Sequence, residues 1–146
     1  MNTDLIDIKI RAVEGGVTAA AGFKAAGIHA GFRKNPERLD YALVVPDKPC
    51  PGAGVFTTNR FCAAPVQVSR ANLGGADKGY GIIAGVSINS GNANAATGET
   101  GLACARETCN IASQVIGCEP QQILVASTGV IGQILPIDTF ETTVPS

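Results

Sequence analysis

The chain alternates short apolar runs with small-residue and polar segments, and its strongest periodicity is helical. Leu102, Ala105, Cys109, Ala112 and Ile116 recur three, four, three and four residues apart. That spacing places them on one face of a helix. Thr100 is the expected N-cap and Gly117 the expected C-cap, and Pro120 bars continuation. The other runs read as strands. "YALVVP", within Leu39 to Pro46, has the look of a buried strand. "GVFTTNR" (54–60) and "APVQVSR" (64–70) predict two strands paired with each other, and "YGIIAGVSIN" (80–89) predicts a third. Ile123 to Ala126 predicts a further buried strand that ends at "VASTGVIG" (125–132). Over residues 1–14, Ile6, Ile8 and Ile10 alternate with Asp7 and Lys9, which predicts a short strand or extended arm.

The segments between are built from turn formers. Gly15-Gly16 breaks the arm, and residues 17–31 are so rich in Ala and Gly that periodicity leaves strand edge and small-residue turn equally open. Arg33 to Asp40 contains Pro36 and reads as a loop, as do Pro46 to Gly54 and "NLGGADKG". No internal repeat and no low-complexity linker divides the chain. Residues 1–146 are therefore expected to form a single domain of mixed strands and helices.

Composition narrows the class. A length of 146 residues suffices for one core. With 45% apolar and 16% charged residues the chain is globular rather than disordered. A net charge of −1, no basic stripe and no Trp argue against a nucleic-acid partner. No apolar run reaches spanning length, which argues against a membrane. "MNTDLIDIKI" carries acids where a signal peptide carries an apolar core. The odd count of five cysteines then predicts reduced thiols and a cytoplasmic address.

Most motifs read as structural. "GGVTAAAGFK" (15–24) lacks the Gly-Lys-Ser/Thr order of a phosphate loop, and "GYGIIAG" (79–85) has its third glycine one residue late for a dinucleotide fingerprint. Cys104, Cys109 and Cys118 match no zinc spacing, and Cys104 and Cys109 are expected on different helix faces, so no metal is predicted. His29 has no second His or close acid in its neighbourhood of sequence and makes a poor base. Asn89, Asn92 and Asn94 in "NSGNANAATG" (89–98) favour turn scaffolding, with a pocket role left open. "ASTGVIG" has two readings. One is a strand-end turn with Gly at positive φ. The other is an oxyanion hole, in which a Thr hydroxyl and the N–H of the next Gly point at one oxygen. The residues alone favour the turn.

The order of the motifs adds to this. "GGVTAAAGFKAAGIHAG", "ALVVPD", "GVFTTNRFCAAPVQVSR", "GIIAGVSINSGNANAATG" and "ILVASTGVIGQILP" follow one another from Gly15 to Pro136. That series resembles the N-terminal, α-chain part of the ornithine acetyltransferase family, also called bifunctional glutamate N-acetyltransferase. The resemblance implies an α/β sandwich of sheets between helix layers, ornithine acetyltransferase/DmpA-like and here incomplete. It implies transfer of acetyl from N-acetylornithine to glutamate in arginine biosynthesis. It implies no cofactor, with acetyl-CoA a co-substrate in some members. It further implies self-cleavage of a precursor, a nucleophilic Thr opening a β chain, and an α2β2 assembly. By the same resemblance, Thr128 and Gly129 form the oxyanion hole.

The departures matter as much. In the family the nucleophilic Thr lies well beyond the "STGVIG" block. Thr139, Thr142 and Thr143 stand too close to Gly129 and lack the context of the cut. The nucleophile and the β-chain substrate positions are therefore absent from these residues, and the chain alone is expected to be inactive. The tail "IDTFETTVPS" is expected to be poorly packed. Two readings compete with the acetyltransferase part: a non-catalytic small-molecule binding domain on the same scaffold, including an inactive fragment, and a related self-processing aminopeptidase. "INSGNANA" speaks against the latter.

Overall fold

A computed structural model describes residues 12–75 and 77–144. Its elements in chain order are β1 (Phe23–Ile28), β2 (Tyr41–Pro46), β3 (Cys50–Ala53), α1 (Ala64–Asn72), β4 (Tyr80–Ile83), β5 (Gly85–Asn92), α2 (Gly98–Ile116), β6 (Ile123–Val130) and α3 (Ile137–Thr143). Short 3-10 turns stand at Gly16–Ala19 and Pro120–Gln122. Most of the arm expected over residues 1–14 lies outside the described residues.

The main sheet has the order β1-β2-β5-β6. β1 and β5 both pair antiparallel with β2, whereas β6 runs parallel to β5. The parallel step needs a long crossover, and α2 supplies it. A two-stranded sheet of β3 and β4 stands beside it. Tyr41, Asn89 and Ser127 share one face with Leu43, Ser87 and Val125. Under that face lie two apolar clusters. The first joins Ile123 and Val125 to Ala64 and Val68 of α1 and to Ala105, Cys109 and Ala112 of α2. The second joins Tyr41 to Ile111, Leu135, Phe140 and Val144.

The opposite face is different. Ala42, Val44, Val86, Ile88, Leu124 and Ala126 follow one another across it, and none of them is buried. This face is apolar throughout in these strands, whereas the helix-covered face mixes Leu43 and Val125 with the buried polar residues Ser87 and Asn89. The fold is thus an α/β sandwich with helices on one face, and the second layer is missing among the described residues.

Several expectations need correction. "APVQVSR" is not a strand but helix α1: Pro65 sits in its first turn, and Ala64, Pro65, Val68 and Ser69 form its buried face. Two valines spaced by one residue mimicked strand alternation, and packing against α2 and β6 overrode it. "GVFTTNR" forms no strand. Its side chains bond to their own backbone instead, Asn59 N–H to Thr57 Oγ1 (3.1 Å) and Phe61 N–H to Asn59 Oδ1 (2.9 Å). The loop expected over Pro46 to Gly54 contains β3, in which Pro51 is tolerated because a two-stranded sheet consists of edges. "YGIIAGVSIN" is divided at Ala84 into β4 and β5, which belong to different sheets. The ambiguous stretch 17–31 resolves into a 3-10 turn and β1.

The helix expected from its period is there, and Gly117 ends it at φ 80°. Its N-cap is Thr97 rather than Thr100, which lies inside the first turn. The Asn94 side chain reaches forward to Gly101 O (2.8 Å) and accepts from Thr97 Oγ1 (2.8 Å), so the helix start is fixed earlier. The tail, expected loose, forms α3. Phe140 is 1% exposed and packs against Phe32 and Tyr41, with ring centroids 4.7 and 5.3 Å away. The apolar residues of the tail pack against Ile28, Ala30 and Phe32 and against Cys104 and Ile111 of α2. Phe140→Ala is expected to destabilise the chain by about 3–5 kcal/mol in urea unfolding. A loss under about 1 kcal/mol would mean that α3 adds little to the core.

Candidate functional site

β6 carries the candidate pair past the end predicted from sequence. The strand runs on to Val130, with Ser127 opposite Asn89, Thr128 opposite Ser90 and Gly129 opposite Gly91. A bulge follows, at which Asn92 faces both Thr128 and Val130. Gly129 has φ 138° and Gly91 has φ 107°. The positive φ expected in the turn reading is present, but inside a strand.

Contact explains both glycines. A Cβ on Gly129 would overlap the carbonyl carbon of Gly91 and lie 2.5 Å from Asn92 N. A Cβ on Gly91 would lie 2.8 Å from Phe32 O. Three stretches of backbone are therefore stacked, with no room for side chains between them.

The pair is presented to the outside. Thr128 shares its face with Ala126 and Leu124, the uncovered face of the sheet, and both Thr128 and Gly129 are exposed. Backbone groups alternate in direction along a strand. The N–H and C=O of Val125 bond Ser69 Oγ of α1 at 2.9 and 2.8 Å, and Val130 O accepts from Ala93 N on the β5 side (3.0 Å). Gly129, at φ 138° and with its Cβ position directed at the Gly91–Asn92 backbone, departs from that alternation at the end of the edge strand. Thr128 and Gly129 are thus exposed at the end of β6, an edge strand among the described residues.

The surrounding polar groups hold this arrangement. Asn89, Asn92 and Asn94 are buried, and their amides bond backbone: Asn89 Nδ2 to Asn92 O (2.9 Å), Asn92 Nδ2 to Gln133 O and Ile134 O (3.2 and 3.1 Å), and Asn94 Nδ2 to Gly101 O (2.8 Å). The scaffolding role expected for this block is what the hydrogen bonds make of it. Asn94 itself takes φ 44°, a conformation Asn tolerates.

Sequence reasoning missed Asp40. Its buried carboxylate accepts from Ala30 N (2.6 Å) and Arg33 N (2.8 Å), and its carbonyl accepts from Ser90 N (2.8 Å). Arg33 Nε also bonds Ser90 Oγ (3.0 Å). Loop 29–40 is thereby tied to the strand position opposite Thr128. His29 also has the close acid it was expected to lack: Nδ1 lies 3.3 Å from Asp40 Oδ2 and 3.0 Å from Arg38 O. Those partners hold the ring in the loop. A lone Asp before an apolar run gives little signal in sequence, because its donors are backbone N–H groups.

The remaining candidates stay apart from the pair. Cys109 lies in the first cluster and Cys104 against the second, on different helix faces as expected. Burial pushes the Cys109 thiol up to about 12, the Asn72 amide countering part of the rise, and burial also raises Cys104 and Cys118. Thiols so shifted are poor nucleophiles. Among the described residues no three His, Cys, Asp or Glu side chains converge as a metal site would require. No helix among them is long and apolar enough to cross a membrane. An apolar cleft of about 360 Å³ between α1, Phe56 and β6 ends at Ser127.

Comparison with known proteins defines the class. The fold matches an ornithine acetyltransferase from Mycobacterium tuberculosis, solved in complex with ornithine, with a TM-score of 0.81 and 38% identity over 89% of this chain and 67% of that one. It matches an arginine biosynthesis bifunctional protein ArgJ from Bacillus halodurans with a TM-score of 0.80 and 34% identity, over 90% of this chain and 66% of that one. Among curated relatives, arginine biosynthesis bifunctional proteins ArgJ from Dehalococcoides mccartyi and Bifidobacterium longum are 45% and 50% identical over 88% and 84% of the chain. The model of the ArgJ family matches residues 24–146, and the chain belongs to that family. It spans 31% and 30% of the length of those two relatives.

The contact between Gly91 and Gly129 generates a test of this geometry. Gly129→Ala is expected to destabilise the chain by more than about 2 kcal/mol, since positive φ and overlap with backbone act together. A thermal melt unchanged by the substitution would show that the two strands do not meet this closely.

Proposed function

We propose that this chain supplies the oxyanion-binding half of an acetyltransferase of arginine biosynthesis, which moves acetyl from N-acetylornithine to glutamate. The observation that carries the reading is that Thr128 and Gly129 are adjacent and exposed at the end of the edge strand β6. Family membership and the names of the relatives support the reaction class.

In the proposed mechanism the nucleophile is a Thr that opens the β chain of the same precursor, freed by self-cleavage. Its hydroxyl is activated by its own α-amino group, a known route from a weak nucleophile to a strong one. It attacks the acetyl carbon of N-acetylornithine. The carbonyl oxygen takes up negative charge, which the Thr128 hydroxyl and Gly129 N–H stabilise by donated hydrogen bonds. The C–N bond then breaks, ornithine leaves with the proton taken from the nucleophile, and acetyl-Thr remains. The glutamate amine attacks that ester through the same oxyanion, the bond between the Thr oxygen and the acetyl carbon breaks, the proton given up by the amine returns to the Thr oxygen, and N-acetylglutamate departs. Acetyl-CoA serves as a second donor by the same acyl-Thr route. The apolar face of Ala42, Val44, Val86, Ile88, Leu124 and Ala126 is where the β chain packs, in an α2β2 assembly in the cytoplasm.

The test is acetyl transfer by the assembled enzyme carrying Thr128→Ala. Loss of one oxyanion donor lowers kcat by about 10²–10³. Undiminished turnover would remove Thr128 from the mechanism. The 146-residue chain alone is expected to give no turnover, and any would show that the nucleophile lies within it.

A further inference from the structure

We propose that Asn92 is the positioning residue of the Thr128–Gly129 pair, an inference that rests on the oxyanion reading above. The bulge sets Asn92 opposite both Thr128 and Val130, so its backbone is the part of β5 that meets the exposed end of β6. Each polar group of its side chain then binds a different piece of the loop that surrounds the pair. Nδ2 donates to Gln133 O and Ile134 O, just past the pair, at 3.2 and 3.1 Å. Oδ1 accepts from Asn94 N at 2.7 Å. The Asn92 carbonyl is itself held by Asn89 Nδ2 at 2.9 Å.

Packing holds little of this segment. Residues 128–134 are exposed, Val130, Ile131 and Ile134 by half or more. Beside the β5–β6 pairing, two backbone bonds join this segment to the loop that Asn92 orders, Ala93 N to Val130 O (3.0 Å) and Gly132 N to Ala95 O (2.9 Å). The Thr128–Gly129 segment is therefore held by its backbone contact with Gly91 and by hydrogen bonds, and Asn92 is the side chain that bonds both the 133–134 backbone and Asn94 N. An oxyanion donor displaced by a fraction of an ångström loses alignment with the charge that develops, while substrate binding elsewhere is untouched.

The substitutions are Asn92→Ala and, as a milder change, Asn92→Ser. Solvent reaches Gln133 and Ile134, so water can satisfy the freed carbonyls. The buried Asn94 N–H loses its acceptor, which lowers Tm and is checked by a melt of each variant. In the assembled enzyme each variant is expected to lower kcat by about 10- to 10²-fold with KM within about twofold. Placed on Thr128→Ala, the same substitution is expected to add less than about threefold, because the donor it aligns has gone. An equal loss in both backgrounds, a loss confined to KM, or no loss overturns the role of Asn92 and leaves the oxyanion reading standing. Thr128→Ala without a rate effect overturns both. In the chain alone, below its melting transition, the ¹H–¹⁵N resonance of Gly129 is expected to move in Asn92→Ser, and an unmoved resonance also overturns the inference.

Discussion

The close backbone approach of Gly91 and Gly129 is the constraint on which the rest of the site depends. Parallel strands sit a fixed distance apart wherever ladder bonds are regular. Here two glycines at positive φ let β6 continue beside β5 through the "STG" triplet, where a chain with side chains at these positions would have turned away. The consequence is that Thr128 remains a strand residue, with its side chain on a defined sheet face, and Gly129 stays beside Gly91. A turn would have left the same two groups on a mobile tip. Phe32 O against Gly91 extends the stack to the loop that Asp40 fastens. Buried hydrogen bonds of this kind are individually worth only about 1 kcal/mol, yet each one left unmade would cost more, so the network favours a single arrangement.

The two faces of the sheet tell a complementary story. One is filled by α1, α2 and α3 with ordinary core packing. The other carries Ala42, Val44, Val86, Ile88, Leu124 and Ala126 in contact with solvent. These residues are half-buried except Ala126, which is exposed. Thr128 stands on this face, so in the proposed enzyme the layer that covers the sheet is also the layer that brings the nucleophile. Stability and chemistry would then be completed by the same association.

How much of this was legible in the sequence depended on whether local pattern and tertiary packing agreed. α2 was readable because its apolar period, its Gly117 cap and Pro120 all gave one answer. β2 was readable because it is apolar throughout. α1 was misread because Val66 and Val68 share an alternation that its contacts with β6 and α2 override. α3 was misjudged because its partners, Phe32 and Tyr41, lie about a hundred residues earlier in the chain and no local pattern reports them. At the site, the residues themselves favoured a turn at "STG", and only the family resemblance singled out Thr128 and Gly129. The reason those residues are placed as they are lies in Gly91, Asn92 and Asp40. Their roles are made of backbone contacts and backbone hydrogen bonds, which leave no signature of spacing.

The central claim is that this chain is one part of a site finished by another polypeptide on the bare sheet face. Native mass spectrometry with N-terminal sequencing, on the protein isolated from its source, tests it most directly. The account predicts a bound companion chain whose first residue is Thr. This chain recovered as a stable species without any companion would contradict it.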